Sequence, residues 1–231
     1  MKVLLFDVDG TLIRAGGAGR GALDAACRRL YGKRNACSQV SLAGRTDLWN
    51  FRQAFLRSVG RKPTAAELER LHRAYLESLP RHIKKALRDN AYVLPKGVRG
   101  LLKRLSREKD VLLGLGTGNM ERGARLKLEP SGLNAYFLFG GYGSDAFHRP
   151  TLLKRAVRRA RALASCPIRD EDVFVIGDTP LDVAAGKKAG YKTIGVGTGF
   201  SRWEDLVASR PDHLARDFRR IDRWLSWIGI R

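Results

Sequence analysis

The chain has 231 residues, 44% of them apolar, which excludes a disordered chain and is long enough for a buried core without disulfide staples. Lys and Arg number 44 against 23 acids, a formal charge of +21. The basic residues are spread along the chain, so they read as a solvated surface; nucleic acid is a compatible partner through that surface but not the favoured one.

Lys2 to Phe6 is a short apolar run before an Asp/Gly turn and predicts a buried strand. Helical spacing follows near 17–31, 46–59 and 64–88, with no convincing strand between. Gly16-Gly17-Ala18-Gly19 reads as a hinge and 89–95 as the return. Further strands are predicted at Val111–Gly116, Tyr136–Phe139, Val173–Ile176 and Lys192–Val196, with helices near 97–107, 121–129, 150–164, 180–189 and 215–228. Phe218, Ile221, Trp224, Leu225 and Ile228 have helical spacing and read as a packing face. Alternation of this kind predicts an α/β fold: a doubly wound parallel sheet from 1–14 and 91–231, interrupted by an α-helical cap domain over 15–90.

Val3 to Phe6 is too short for a signal peptide, and no stretch approaches the roughly 20 apolar residues of a membrane span. Cys27, Cys37 and Cys166 share no metal spacing and read as reduced thiols. These features point to the cytoplasm, with no membrane association.

Chemistry gathers where strands end, the place where open parallel sheets bind ligands. Three ends carry Asp7-Val8-Asp9-Gly10-Thr11, Thr117-Gly118-Asn119 and Gly177-Asp178-Thr179-Pro180-Leu181-Asp182. The last could be only a helix cap with Pro at the first helical position. Together, however, Asp7, Asp9, Asp178 and Asp182 would converge at one rim. Crowded carboxylates repel unless a cation joins them, and hard oxygen ligands suit Mg²⁺. His72, His82, His148 and His213 are scattered and read as non-ligands.

The ordered set resembles the haloacid dehalogenase-like hydrolases, in particular their phosphoglycolate phosphatase-like branch. It rests on Asp7-Val8-Asp9-Gly10-Thr11-Leu12, Thr117-Gly118-Asn119 and Gly177 to Gly186, with Gly44-Arg45-Thr46-Asp47 matching a cap segment. The basic residue of the third motif lacks its usual Lys-Pro context; Arg149-Pro150 stands nearest, with Lys154 as the competing choice.

The resemblance implies a Rossmann-like core with a helical cap and a Mg²⁺-dependent phosphatase acting on a small phosphorylated metabolite. Asp7 would be the nucleophile and Asp9 the acid/base. Asp7, the carbonyl of Asp9 and Asp178 would hold Mg²⁺, with Asp182 orienting its surroundings. Thr117, Gly118 and Asn119 would hold phosphoryl oxygens or substrate, and Arg149 would offset the charge of the transferring group. Arg45 is expected to pair with a second anionic group of the substrate. The alternatives are a phosphomutase of the β-phosphoglucomutase type and a basic nucleic-acid-binding protein on the same scaffold.

Overall fold

The computed structural model describes residues 1–38 and 40–230. In chain order its strands are β1 (Lys2–Phe6), β2 (Arg14–Ala15), β3 (Tyr92–Val93), β4 (Val111–Gly116), β5 (Phe139–Gly141), β6 (Val173–Gly177), β7 (Lys192–Val196) and β8 (His213–Ala215). The helices are α1 (Ala18–Tyr31), α2 (Asp47–Val59), α3 (Ala65–Arg88), α4 (Val98–Leu105), α5 (Glu121–Leu128), α6 (Arg149–Leu163), α7 (Pro180–Ala189), α8 (Trp203–Ala208) and α9 (Ile221–Ile228).

Six strands form one parallel sheet in the order β5-β4-β1-β6-β7-β8. Strand β1 is central because it is apolar on both faces. Leu4 and Phe6 pack with α4, α5 and α9 on one side, while Val3 and Leu5 pack with α6 and α7 on the other. The chain runs outward through β4 and β5, then crosses β1 to β6, so the topological switch lies at β1. Phe6 sits level with Leu115 and with Ile176. That register brings the residues following β1, β4 and β6 to the same rim.

The segment from α1 to α3 leaves and rejoins the core through the antiparallel pair β2-β3, with Arg14 opposite Val93 and Ala15 opposite Tyr92. Helix α3 carries Pro80 yet runs 24 residues, and its start is fixed by a Thr64/Glu67 capping box.

Two sequence expectations shift, and one helix is new. The strand expected at Tyr136–Phe139 lies at Phe139–Gly141, because Leu133–Tyr136 closes a 3₁₀ turn first. The helix expected from 215 starts at Ile221, and residues His213–Ala215 instead extend the sheet beside β7. Helix α8 has only six residues, too few to show a period.

Candidate active site

Asp7 follows β1 and is held by its own N–H, which donates to the Ile176 carbonyl at 2.9 Å. Its side chain is buried, with a carboxylate oxygen 3.7 Å from an Arg149 nitrogen. Burial, then repulsion from Asp182, push its carboxyl up to about 7 against the pull of Arg149.

Asp178, at the end of β6, is also buried; Thr11 Oγ1 donates to one of its oxygens at 3.1 Å and the Phe200 N–H to the other at 2.9 Å. Desolvation and the charges of Asp182 and Asp7 raise its pKa well above the usual carboxylate range. The turn after Asp9 presses against it. Gly10 has φ +86°, and a Cβ there would lie 2.5 Å from the Asp178 carboxylate, so only glycine fits.

Asp182 owes its place to a helix cap. Thr179 is the N-cap of α7 and Pro180 its first residue; the Asp182 N–H donates to Thr179 Oγ1 at 3.3 Å. In return Asp182 Oδ2 accepts from the Thr179 N–H at 3.0 Å and from its hydroxyl at 2.6 Å. A cap of this kind contributes about 1 kcal/mol. Its other oxygen accepts from the Arg149 guanidinium. The cap reading and the site reading of this motif are therefore both met by the same residues.

One carboxylate oxygen from each of Asp7, Asp178 and Asp182 lies within 4.8 Å of the others. Three buried acids with two raised pKa values form a donor set suited to a divalent cation, which would relieve their mutual repulsion. Both Asp182 oxygens already accept hydrogen bonds, whereas Asp7 meets the Thr117 hydroxyl and the more distant Arg149 nitrogen.

The Thr117–Met120 turn after β4 forms the next wall. Thr117 Oγ1 accepts from the Asn119 N–H at 3.2 Å and from Asn119 Nδ2 at 2.9 Å, which leaves its proton free to face Asp7. At Gly118 a Cβ would lie 2.3 Å from the Arg45 carbonyl, so the helical insertion rests on this backbone. Arg149 lies at the first position of α6, nine-tenths buried, and also donates to the Gly44 carbonyl at 3.2 Å. Lys154 is exposed on the same helix, away from the acids. Arg45 is exposed, its guanidinium 4.9 Å from the centre of the Trp49 ring.

Asp9 does not face the acid cluster. Its Oδ2 accepts from Asn119 Nδ2 at 2.9 Å and from Lys127 Nζ at 2.6 Å, and Lys127 also donates to Asn119 Oδ1 at 2.6 Å. Burial alone would lower the pKa of the Lys127 ammonium. The negative charge of Asp9, with Tyr75 and Asp47, outweighs burial and holds it above the ordinary lysine range. The sequence reading missed Lys127. The available signal was a lysine on the buried face of α5, among Gly123, Ala124 and Leu128.

A cavity of about 190 Å³ joins these groups to the helical insertion, whose contribution includes Leu23, Asp47, Asn50, Phe51 and Tyr75. Among the described residues, no helix is long and apolar enough to cross a membrane.

The fold is shared with solved structures at low sequence identity. One is named a predicted phosphoglycolate phosphatase, from Haemophilus somnus, with TM-score 0.70, 17% identity and 97% of each chain covered. A second is a haloacid dehalogenase-like family hydrolase from Streptococcus pneumoniae, with TM-score 0.65, 19% identity and 98% of each chain covered. A third, from Bacteroides vulgatus, carries a provisional beta-phosphoglucomutase name; it has TM-score 0.68 and 19% identity, over 99% of this chain and 89% of that one. Comparison with curated proteins gives no match. The profile of the haloacid dehalogenase-like hydrolases matches residues 4–196, more than half of the chain, and with the acids after β1 and β6 meeting at one rim the chain belongs to that family.

Proposed function

We propose that the protein is a Mg²⁺-dependent phosphatase that hydrolyses a small phosphate monoester through an aspartyl phosphate on Asp7. The observation that carries this reading is the position of Asp7, a buried carboxylate between Arg149 and the Asp178/Asp182 pair, opening on a cavity. The segment 15–90 acts as a cap over a core made of 1–14 and 91–231.

Asp7, Asp178 and the carbonyl of Asp9 would hold Mg²⁺, which supplies charge neutralisation so that a carboxylate and a phosphate can approach. An Asp7 oxygen attacks phosphorus, and the bond from phosphorus to the ester oxygen breaks. Asp9 gives its proton to the departing oxygen. It then takes a proton from the water that attacks the aspartyl phosphate, which frees inorganic phosphate and restores Asp7. To do so Asp9 turns from Lys127 and Asn119 toward the leaving oxygen. Arg149 stays against Asp7 and balances the charge gathering on the phosphoryl oxygens, while Thr117 and the backbone of Gly118 and Asn119 hold those oxygens. Two buried free thiols, Cys27 and Cys37, suit the reducing cytoplasm in which we place the enzyme.

The test is a panel of phosphate esters assayed with and without Mg²⁺, with Asp7→Asn as control. Turnover that needs both Mg²⁺ and Asp7 supports the reading; none with any ester contradicts it.

A further inference from the structure

Two buried polar atoms of the cavity lining have no partner among the described residues: Arg149 Nε beside the acids and Asn50 Oδ1 on the helical insertion. Asn50, on the inner face of α2, is 7% exposed, and its Oδ1 is buried without a partner among the described residues. An acceptor left bare in this way costs about 1–3 kcal/mol until something donates to it. Asp47, one turn earlier, is 8% exposed; Oδ2 accepts from the Met120 N–H, and the Asn50 amide lies beside the carboxylate.

Three cations around the same cavity already hold protein partners. Arg20 donates to the Cys37 and Val40 carbonyls. Lys127 is taken by Asp9 and Asn119, and Arg149 by Asp7, Asp182 and Gly44. Arg45 also lines this cavity, but it is exposed and holds its guanidinium over the Trp49 ring. The far end of the pocket therefore offers acceptors and one negative charge, with Leu23 and Phe51 as apolar walls. A carboxylate beside Asn50 would meet the charge of Asp47, one turn away on the same helix.

From this we infer that the alcohol released from the phosphate ester is small, carries hydroxyl or ammonium donors that Asn50 and Asp47 accept, and bears no carboxylate. The inference rests on the phosphatase reading of the site and narrows it. Hydroxyls and an ammonium share the donor chemistry, and the substrates chosen for the test separate them.

The experiment compares kcat/KM in Mg²⁺ for glycerol phosphate (hydroxyl donors), phosphoethanolamine (an ammonium), 2-phosphoglycolate and 3-phosphoglycerate (carboxylates), with p-nitrophenyl phosphate as a donor-free reference. Wild type should favour one of the first two over both carboxylate esters by about tenfold or more. Asn50→Leu should cut the advantage of that ester over p-nitrophenyl phosphate, chiefly by raising KM. Calorimetry on Asp7→Asn in Mg²⁺ should rank the esters in the same order. Preference for a carboxylate ester, or an unaltered ranking in Asn50→Leu, overturns the inference. If that happens while p-nitrophenyl phosphate is still hydrolysed in an Asp7-dependent way, the phosphatase reading stands and only the substrate class is wrong. No turnover of any ester overturns both.

Discussion

Asp47 grips the active-site turn at Met120: its carboxylate accepts the Met120 N–H at 2.9 Å while its own N–H donates to the Gly118 carbonyl at 2.7 Å. One residue at the start of α2 thus ties the helical insertion to the Thr117–Met120 turn. Burial pushes its carboxyl up to about 6. The folded pKa lies above the unfolded value of about 4, so ionising Asp47 costs stability. Its contribution is fully present below pH 4 and is lost as pH rises through about 6. Asp47→Asn keeps an acceptor and escapes that loss. Its stability relative to wild type should rise between pH 5 and 7, by on the order of 1 kcal/mol. Urea unfolding at both pH values checks this; a difference independent of pH would contradict it.

Asp7→Asn should separate catalysis from stability. Turnover should fall by at least about 10³-fold, because an amide is a poor nucleophile. In chelator the same variant should melt higher than wild type at pH 8, since a buried charge facing Asp182 is gone. The carboxyl's raised pKa gives the sign: the wild-type deficit appears as pH rises through about 7 and vanishes below about 4. Melting curves at pH 5 and pH 8 are the measurement.

Chelation should silence the enzyme and Mg²⁺ should restore it, with Ca²⁺ a poor substitute because its looser shell misplaces the reacting groups. Mg²⁺ should also raise the melting temperature, by about 2.7 kcal/mol of stabilisation at a hundred times Kd. Asp178→Ala should lose both effects. A melting temperature indifferent to Mg²⁺ would argue against the acid cluster as a cation site.

Arg149 touches Asp7 and Asp182, whereas Lys154 is exposed on α6. Arg149→Ala should therefore lose about 10²-fold or more in kcat at saturating Mg²⁺. Lys154→Ala should stay within about twofold, as surface changes usually do. A larger loss from Lys154→Ala would reverse the assignment.

Lys127→Met leaves Asn119 Oδ1 without its donor and the Asp9 carboxylate with only Asn119 Nδ2. Lys127 is buried but the Asp9 side chain is 30% exposed, so the loss should be about 1–3 kcal/mol. Adding Asp9→Asn should recover part of that loss, because the orphaned charge is then removed as well. Denaturant midpoints of the two single variants and the double variant give the coupling; strict additivity would show that the pair does not interact.

The parallel core was legible because its strands are uninterrupted apolar runs that end in turn residues, as at Phe6-Asp7 and Gly177-Asp178. Strand β8 was not: His213–Ala215 is three residues long at a sheet edge and carries no period. Asp7 and Asp178 were legible because each follows a strand directly, and Asp182 because it completes the cap of the helix that starts there. Lys127 was hidden because its partner Asp9 lies 118 positions away, and a lysine in a helix reads as solvated until the fold buries it. Asn50 was hidden for the same reason, on a helix whose other buried residues are mostly apolar.

The two-residue pairing of β2 with β3 places the beginning and the end of the helical insertion side by side. Paired strands stand about 5 Å apart, so a short turn would close the gap left by removing everything between them. The insertion is thus a module on a single stalk, and one chain's insertion could be exchanged for another's without re-routing the sheet. Such an exchange would remove Asp47 and Asn50 together while leaving Asp7, Arg149 and Asp178 in place. The acid cluster and the cavity's far wall can then change on separate pieces of the chain.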